Sequence, residues 1–140
     1  MAYRQIIDEL HARLAARGYG DVSPNFGYVL LAVREQPMTV TAIASLLGVT
    51  KQAASKLIDG MAADGYVSRT ANADDARAKA IAISARGKRF LTTVESIYDE
   101  IETEWAGIAS KARMDALRAG LQSVVEARHD GRLPAVRPTR

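Results

Sequence analysis

Apolar positions recur at three- and four-residue spacing from the start of the chain. Ile6, Ile7, Leu10 and Leu14 make one stripe of a helix beginning near Tyr3, and Gly18 and Gly20 end it. Ser23 and Pro24 suit the cap and first turn of a second helix, with Phe26, Val29, Leu30 and Val33 on its inner face. Pro37 breaks the chain. Thr39 can cap a short helix with Ile43, Ala44 and Leu47 turned inward, and Gly48 stops it. Thr50 can cap the next helix, which runs through Met61 to about Asp64.

The period changes after Gly65. Residues 66–70 read as one strand, and residues 79–84 alternate as a second, with Ile81 and Ile83 on one face. The polar stretch 71–78 between them is a hairpin loop longer than the two-residue kind. A long helix then starts near Ala85, with an apolar stripe from Phe90 through Ile97, Tyr98, Ile101 and Trp105 to Ile108. A last helix places Met114, Leu117, Leu121, Val124 and Val125 inward. The fold expected is mainly α with a small β-hairpin wing. It divides into an N-terminal dimerisation helix (1–22), a winged helix-turn-helix (23–90), C-terminal dimerisation helices (91–127) and a mobile basic tail (128–140).

Composition narrows the class. A chain of 140 residues, 48% hydrophobic and 25% charged, holds too much apolar material for disorder and is the length of one ordinary domain. Cysteine is absent, which excludes disulfides, zinc-thiolate sites and thiol redox sensing. The first residues carry charge throughout and lack a signal-type apolar segment, and no run approaches the roughly 18 apolar residues of a membrane span. The reading is a cytoplasmic protein without membrane attachment. Charge is uneven: 41–90 holds eight basic and four acidic groups, and 91–127 holds three basic and seven acidic. A basic middle is the footprint of a surface aimed at a polyanion, although clustered charge also makes plain solvated faces.

Two short helices joined by a turn at Gly48 form a helix-turn-helix, whose close crossing requires the small Ala44 and Ala54. Residues set at helical intervals from Thr50 bury Ala54, Leu57, Ile58 and Met61 and expose Gln52, Ser55, Lys56 and Asp59. Thr50, Lys51, Gln52, Ala53, Ser55 and Lys56 are the candidate DNA-binding residues. Lysine can address guanine N7 and O6, glutamine can pair with adenine, serine can bond a base or a phosphate, and an alanine methyl can meet that of thymine. The same face also suits a plain solvated helix, and Asp59 would repel phosphate. The hairpin adds Arg77, placed to enter a minor groove, with Asp75 able to support its guanidinium. Arg69, Lys79, Arg86, Lys88 and Arg89 lie near the wing and can reach backbone.

The run Gly48–Asp59 resembles the recognition-helix region of MarR-type transcriptional regulators. Gly65, Tyr66 and Val67 resemble the start of that family's wing. Asp75, Ala76 and Arg77, followed by Ile81, Ile83, Ser84 and Gly87, resemble its D-x-R wing motif and the helix start beyond it. The likeness covers residues 25–90 by motif and 1–127 by helix order. Departures are Ala73 for a frequent proline, Ala76 for a second arginine, Ser84 for threonine, and Gly60 for a larger polar residue.

The resemblance implies a homodimer with helices from both ends of the chain interlocked. The long apolar stripes need the same partner, with Tyr98 and Trp105 in the dimer core. Two-fold symmetry implies a near-palindromic double-stranded DNA site. The family's ligands are often small aromatic acids bound between dimer helices and winged domain. His11, Phe26 and Tyr28 are candidates to line such a pocket, and packing alone is the other role open to them. No cofactor is expected. Neither His11 nor His129 has a ligand-spaced histidine partner, and no metal motif, phosphate loop or Ser-His-Asp set proposes a reaction, so the chain reads as no enzyme. The function expected is a ligand-responsive repressor. The alternative is a winged-helix protein-interaction module without DNA binding.

Overall fold

The computed structural model describes residues 1–20, 22–71 and 79–128. The elements run α1 (Ala2–Ala16), α2 (Pro24–Ala32), β1 (Met38–Thr39), α3 (Val40–Leu47), α4 (Lys51–Ala63), β2 (Val67–Ala71), β3 (Lys79–Ile83), α5 (Ala85–Ala109) and α6 (Lys111–Ala127). They fall into two units, a winged one over 22–92 and a helical one of 1–20 with 93–128. Helix α5 contributes residues 85–92 to the first and 93–109 to the second.

The winged unit is punctuated by local chemistry. Ser23 Oγ accepts the Asn25 amide, Thr39 Oγ1 the Ala42 amide at 3.2 Å, and Thr50 Oγ1 the Ala53 amide at 3.1 Å. Each satisfies an N–H that has no partner inside its helix. Gly48 closes α3 at φ 66, in the left-handed region that costs glycine no steric penalty. The core is apolar: Val29, Leu30, Val33, Ile43, Ile58, Met61 and Ile81 are all buried. Ala44 and Ala54 are buried where the two helices of the motif cross. Leu57, expected inside, and Ser55, expected outside, are both half-buried. The turn of the helix between faces accounts for both, since each lies at the edge of its stripe.

The sheet has three strands rather than the two of a bare hairpin, in the order β1-β3-β2 and antiparallel throughout. Met38 pairs with Ile81 and Thr39 with Ala80, while β2 pairs with β3 from Val67–Ile83 to Ala71–Lys79. The central position of β3 changes its burial. Ala80 and Ile81 point to opposite faces and both are buried, so the strand lacks a solvent face there.

The junction of wing and α5 is close-packed. Tyr66 is buried, meeting the rings of Phe26 and Phe90 edge-on at centroid distances of 5.6 Å each, and the Arg86 guanidinium lies 4.8 Å from its ring centre. Ser84 joins three segments. Its N–H donates to the Tyr66 carbonyl at 3.1 Å, its hydroxyl donates to the Gly65 carbonyl at 2.6 Å, and its Oγ accepts the Gly87 amide at 3.0 Å. Gly87 must be glycine, because a Cβ there would stand 2.3 Å from the Tyr66 carbonyl oxygen and 2.9 Å from an Ile83 side-chain carbon.

The helical unit is built otherwise. Leu10, Leu14, Ile97 and Ile101 are buried. Polar ties run from α1 to α5. The Arg13 guanidinium bonds Glu104 at 2.6 Å and Glu100 at 3.4 Å, and Arg17 bonds Glu100 at 2.7 Å. Glu100 is held below the ordinary carboxylate range first by its hydrogen bond from Arg17, and Glu104 by its bond from Arg13. Burial raises the Tyr98 phenol. Helix α6 has no buried residue. The stripe expected to face inward is open within one chain: Leu117, Leu121 and Val124 are each more than half exposed, and Ile108 is 87% exposed. Met114 and Val125 are half-buried.

Candidate nucleic-acid interface

Helix α4 presents its two faces cleanly. Ala54, Ile58 and Met61 anchor it in the winged core, and Lys51, Gln52, Ala53 and Lys56 stand exposed. Thr50 is also exposed. Its side chain and carbonyl hold the Ala53 and Ala54 amides, so the Lys51 and Gln52 amides are left without a helical acceptor. These amides and the positive end of the helix dipole give the first turn an affinity for anionic oxygen. Gln52 and Lys56 lie one turn apart on one row, and Asp59 follows three residues after Lys56.

Asp59 is taken up by a neighbour. The Arg69 guanidinium, on β2, is ion-paired with its carboxylate. The sequence pattern alone leaves Asp59 free to repel phosphate and Arg69 near backbone, because no period pairs positions ten apart on a helix and the following strand. Among the described residues neither Lys51 nor Lys56 has an ion-pair partner.

The structure thus gathers Thr50, Lys51, Gln52, Ala53, Ser55 and Lys56 on the first two turns of one helix. Arg77 and Asp75 lie outside the described residues, as does the tail beyond Arg128. Of the candidate pocket residues, Phe26 is a core residue against Tyr66, and Tyr28 is half-buried on α2. His11, half-buried on α1, belongs to the other unit. Among the described residues there is no group of three His, Asp or Glu placed to hold a metal, and no helix long and apolar enough to cross a membrane.

The model of the MarR family matches residues 21–78, the stretch containing the helix-turn-helix and the first long wing strand. No curated protein matches the chain significantly. Among solved structures, the transcriptional regulator Tm0710 from Thermotoga maritima is 23% identical, with a TM-score of 0.69 over 94% of this chain and 95% of that one. A mutant of Staphylococcus aureus MepR bound to an oligodeoxyribonucleotide is 22% identical, with a TM-score of 0.67 over 91% and 92%. MepR bound to ethidium bromide is 21% identical, with a TM-score of 0.66 over 91% of each chain. The capped helix-turn-helix and the wing sheet lie largely within the stretch 21–78 that matches the MarR family, and the chain as a whole shares the winged-helix fold of these solved structures.

Proposed function

We propose that the protein is a cytoplasmic, ligand-responsive repressor that binds a near-palindromic double-stranded DNA operator as a homodimer, and that it is not an enzyme. The observation that carries this reading is the outer face of α4. Two lysines with no ion-pair partner among the described residues, a glutamine and helix-terminal amides without a helical acceptor share one exposed surface, backed by a buried apolar face. Such a helix inserted in a major groove reads base edges with Lys51, Gln52, Ala53, Ser55 and Lys56 and holds phosphate with Thr50 and the first amides. Arg77, aimed by Asp75, serves as the minor-groove contact of the wing. The DNA complex of MepR supports this reading by likeness of fold.

The dimer is supported by the open row of Leu117, Leu121 and Val124 on α6, with Ile108 of α5 exposed as well, since single exposed leucines are common but an aligned apolar row on a helix marks an interaction surface. Tyr98 and Trp105, both half-buried, belong to the same dimer core. A small aromatic ligand is the effector class; the ethidium complex of MepR supports ligand binding on this fold.

The test is a fluorescence-anisotropy titration of a duplex that the protein itself enriches from a random pool. Wild-type binding falls steeply with salt, because each phosphate neutralised releases counterions. Lys56→Ala and Arg77→Ala each weaken it, by roughly tenfold, or about 1.4 kcal/mol. If both variants bind like wild type at physiological salt, the reading is wrong. A chain that shifts no DNA and forms a stable heteromer instead is the interaction module.

A further inference from the structure

We propose that Arg69 is a positioning residue, whose task is to hold Asp59 away from Lys56 so that this lysine stays available to DNA. The inference rests on the DNA-binding reading of α4 and deepens it. Lys56 and Asp59 stand three apart on one exposed helix face, the spacing at which opposite charges pair across a helix turn. In the structure they do not pair. Asp59 instead bonds the guanidinium of Arg69, which reaches over from β2. The choice is chemically reasonable, because a planar guanidinium meets a carboxylate with directed donors and a lysine ammonium does not.

The arrangement has a clear consequence. The carboxylate of the reading face is neutralised from a strand that forms no part of that face. Without Arg69, Asp59 has a cation within reach on its own helix. Lys56 would then be drawn into a local ion pair and would no longer reach a phosphate or a base, and the uncompensated carboxylate would repel the duplex as well. Surface pairs of this kind contribute only about 0–1 kcal/mol to folding. The value of the pair therefore lies in what it leaves unoccupied rather than in stability.

A double-mutant cycle on the full chain separates this role from direct binding of DNA by Arg69. The probe is a duplex of about 30 base pairs, long enough for two half-sites, that the wild-type protein enriches from a random pool. Affinity is read by anisotropy across a salt series, and folding of each variant by circular dichroism. Arg69→Ala is expected to weaken binding roughly tenfold at every salt concentration tested, the same loss as Lys56→Ala. In the Asp59→Asn background the same substitution is expected to have no effect, since nothing remains to capture Lys56. Adding Lys56→Ala to Arg69→Ala is expected to cost nothing further. Arg69→Gln, which keeps much of the stem, guards against loss of packing and should behave like Arg69→Ala. An equal penalty in both backgrounds would mean that Arg69 touches DNA itself and overturns the proposal, as does Arg69→Ala binding like wild type. Failure of the wild-type protein to bind any duplex overturns the DNA reading and this proposal together, and so is told apart from the other two.

Discussion

The two units of the chain reach order by different means. The winged unit closes its own core. Three aromatic rings meet edge-on at Tyr66, Ser84 ties a turn, a strand and a helix start, and both faces of the middle strand are covered. The helical unit buries four large apolar side chains on α1 and α5, carries its polar ties at the surface, and leaves the apolar row of α6 open. A unit that satisfies its own groups can hold a reading helix at fixed geometry. A unit that leaves an apolar row exposed offers a surface for association, the role proposed for it above. The contrast assigns rigidity to the part proposed to meet DNA and association to the part that does not.

The largest expected effect strikes the closed core. Gly87→Ala forces a methyl against the Tyr66 carbonyl, and neither the strand nor the helix start can move without breaking the Ser84 bonds. A loss of about 3 kcal/mol is expected, the upper range for overpacking, read as a drop in the urea midpoint at unchanged slope. An unaltered midpoint would show that this junction yields, and would remove the claim of rigidity with it. Next comes the open row. Leu121→Glu should leave the fold of one chain intact, because Leu121 is 60% exposed, while placing charge in the proposed dimer interface. Sedimentation is then expected to show a monomer for this variant and a dimer for the wild-type chain. A dimer that persists unchanged at micromolar concentration places the interface elsewhere.

A smaller effect of opposite sign is expected on the reading helix. A Cβ at Gly60 would meet nothing within 4 Å, and its backbone is ordinary helix. Gly60→Ala should therefore stabilise the protein by about 0.5–1 kcal/mol by relieving the conformational cost of a mid-helix glycine. Thermal unfolding checks it. A destabilised variant would mean that the winged unit uses freedom at Gly60, against the rigidity argued above.

How much of this is legible in the sequence follows from the range of each interaction. Thr39, Thr50 and Gly48 can be read because a cap and a helix stop are settled within four residues of chain. The strand β1 cannot. Two residues carry no period, and Met38–Thr39 is a strand only because Ile81 and Ala80 pair with it some forty positions on. Gly87 and Ser84 are visible as parts of a family pattern, but their reason is a carbonyl at Tyr66 that only the fold brings near. The candidate reading face is visible as a period along α4, whereas the Asp59–Arg69 pair is not, since Arg69 reaches the helix from the strand that follows. The stripe of α6 is legible as apolar and in need of cover. That it stays largely open within one chain is not, because a period cannot say which chain does the covering.

The smallest effect belongs to the surface ties of the helical unit, and its pH course tests what they are. Glu100 and Glu104 are depressed by the arginines that bond them, so whatever they contribute is fully present above the ordinary carboxylate value of about 4.3 and is lost as pH falls through their lower folded values. Arg13 is shifted upward by the same bonds and stays charged throughout this range. The wild-type chain should therefore melt above Glu100→Gln by a small and constant margin from pH 7 to about 5 in low salt. That margin should close as the pH drops below about 4, and molar salt should shrink it at every pH, as screening requires of exposed pairs. A margin that instead widens on acidification would mean that the protonated form of Glu100 is the one the fold prefers, and that α1 is fastened to α5 by its buried leucines and isoleucines alone.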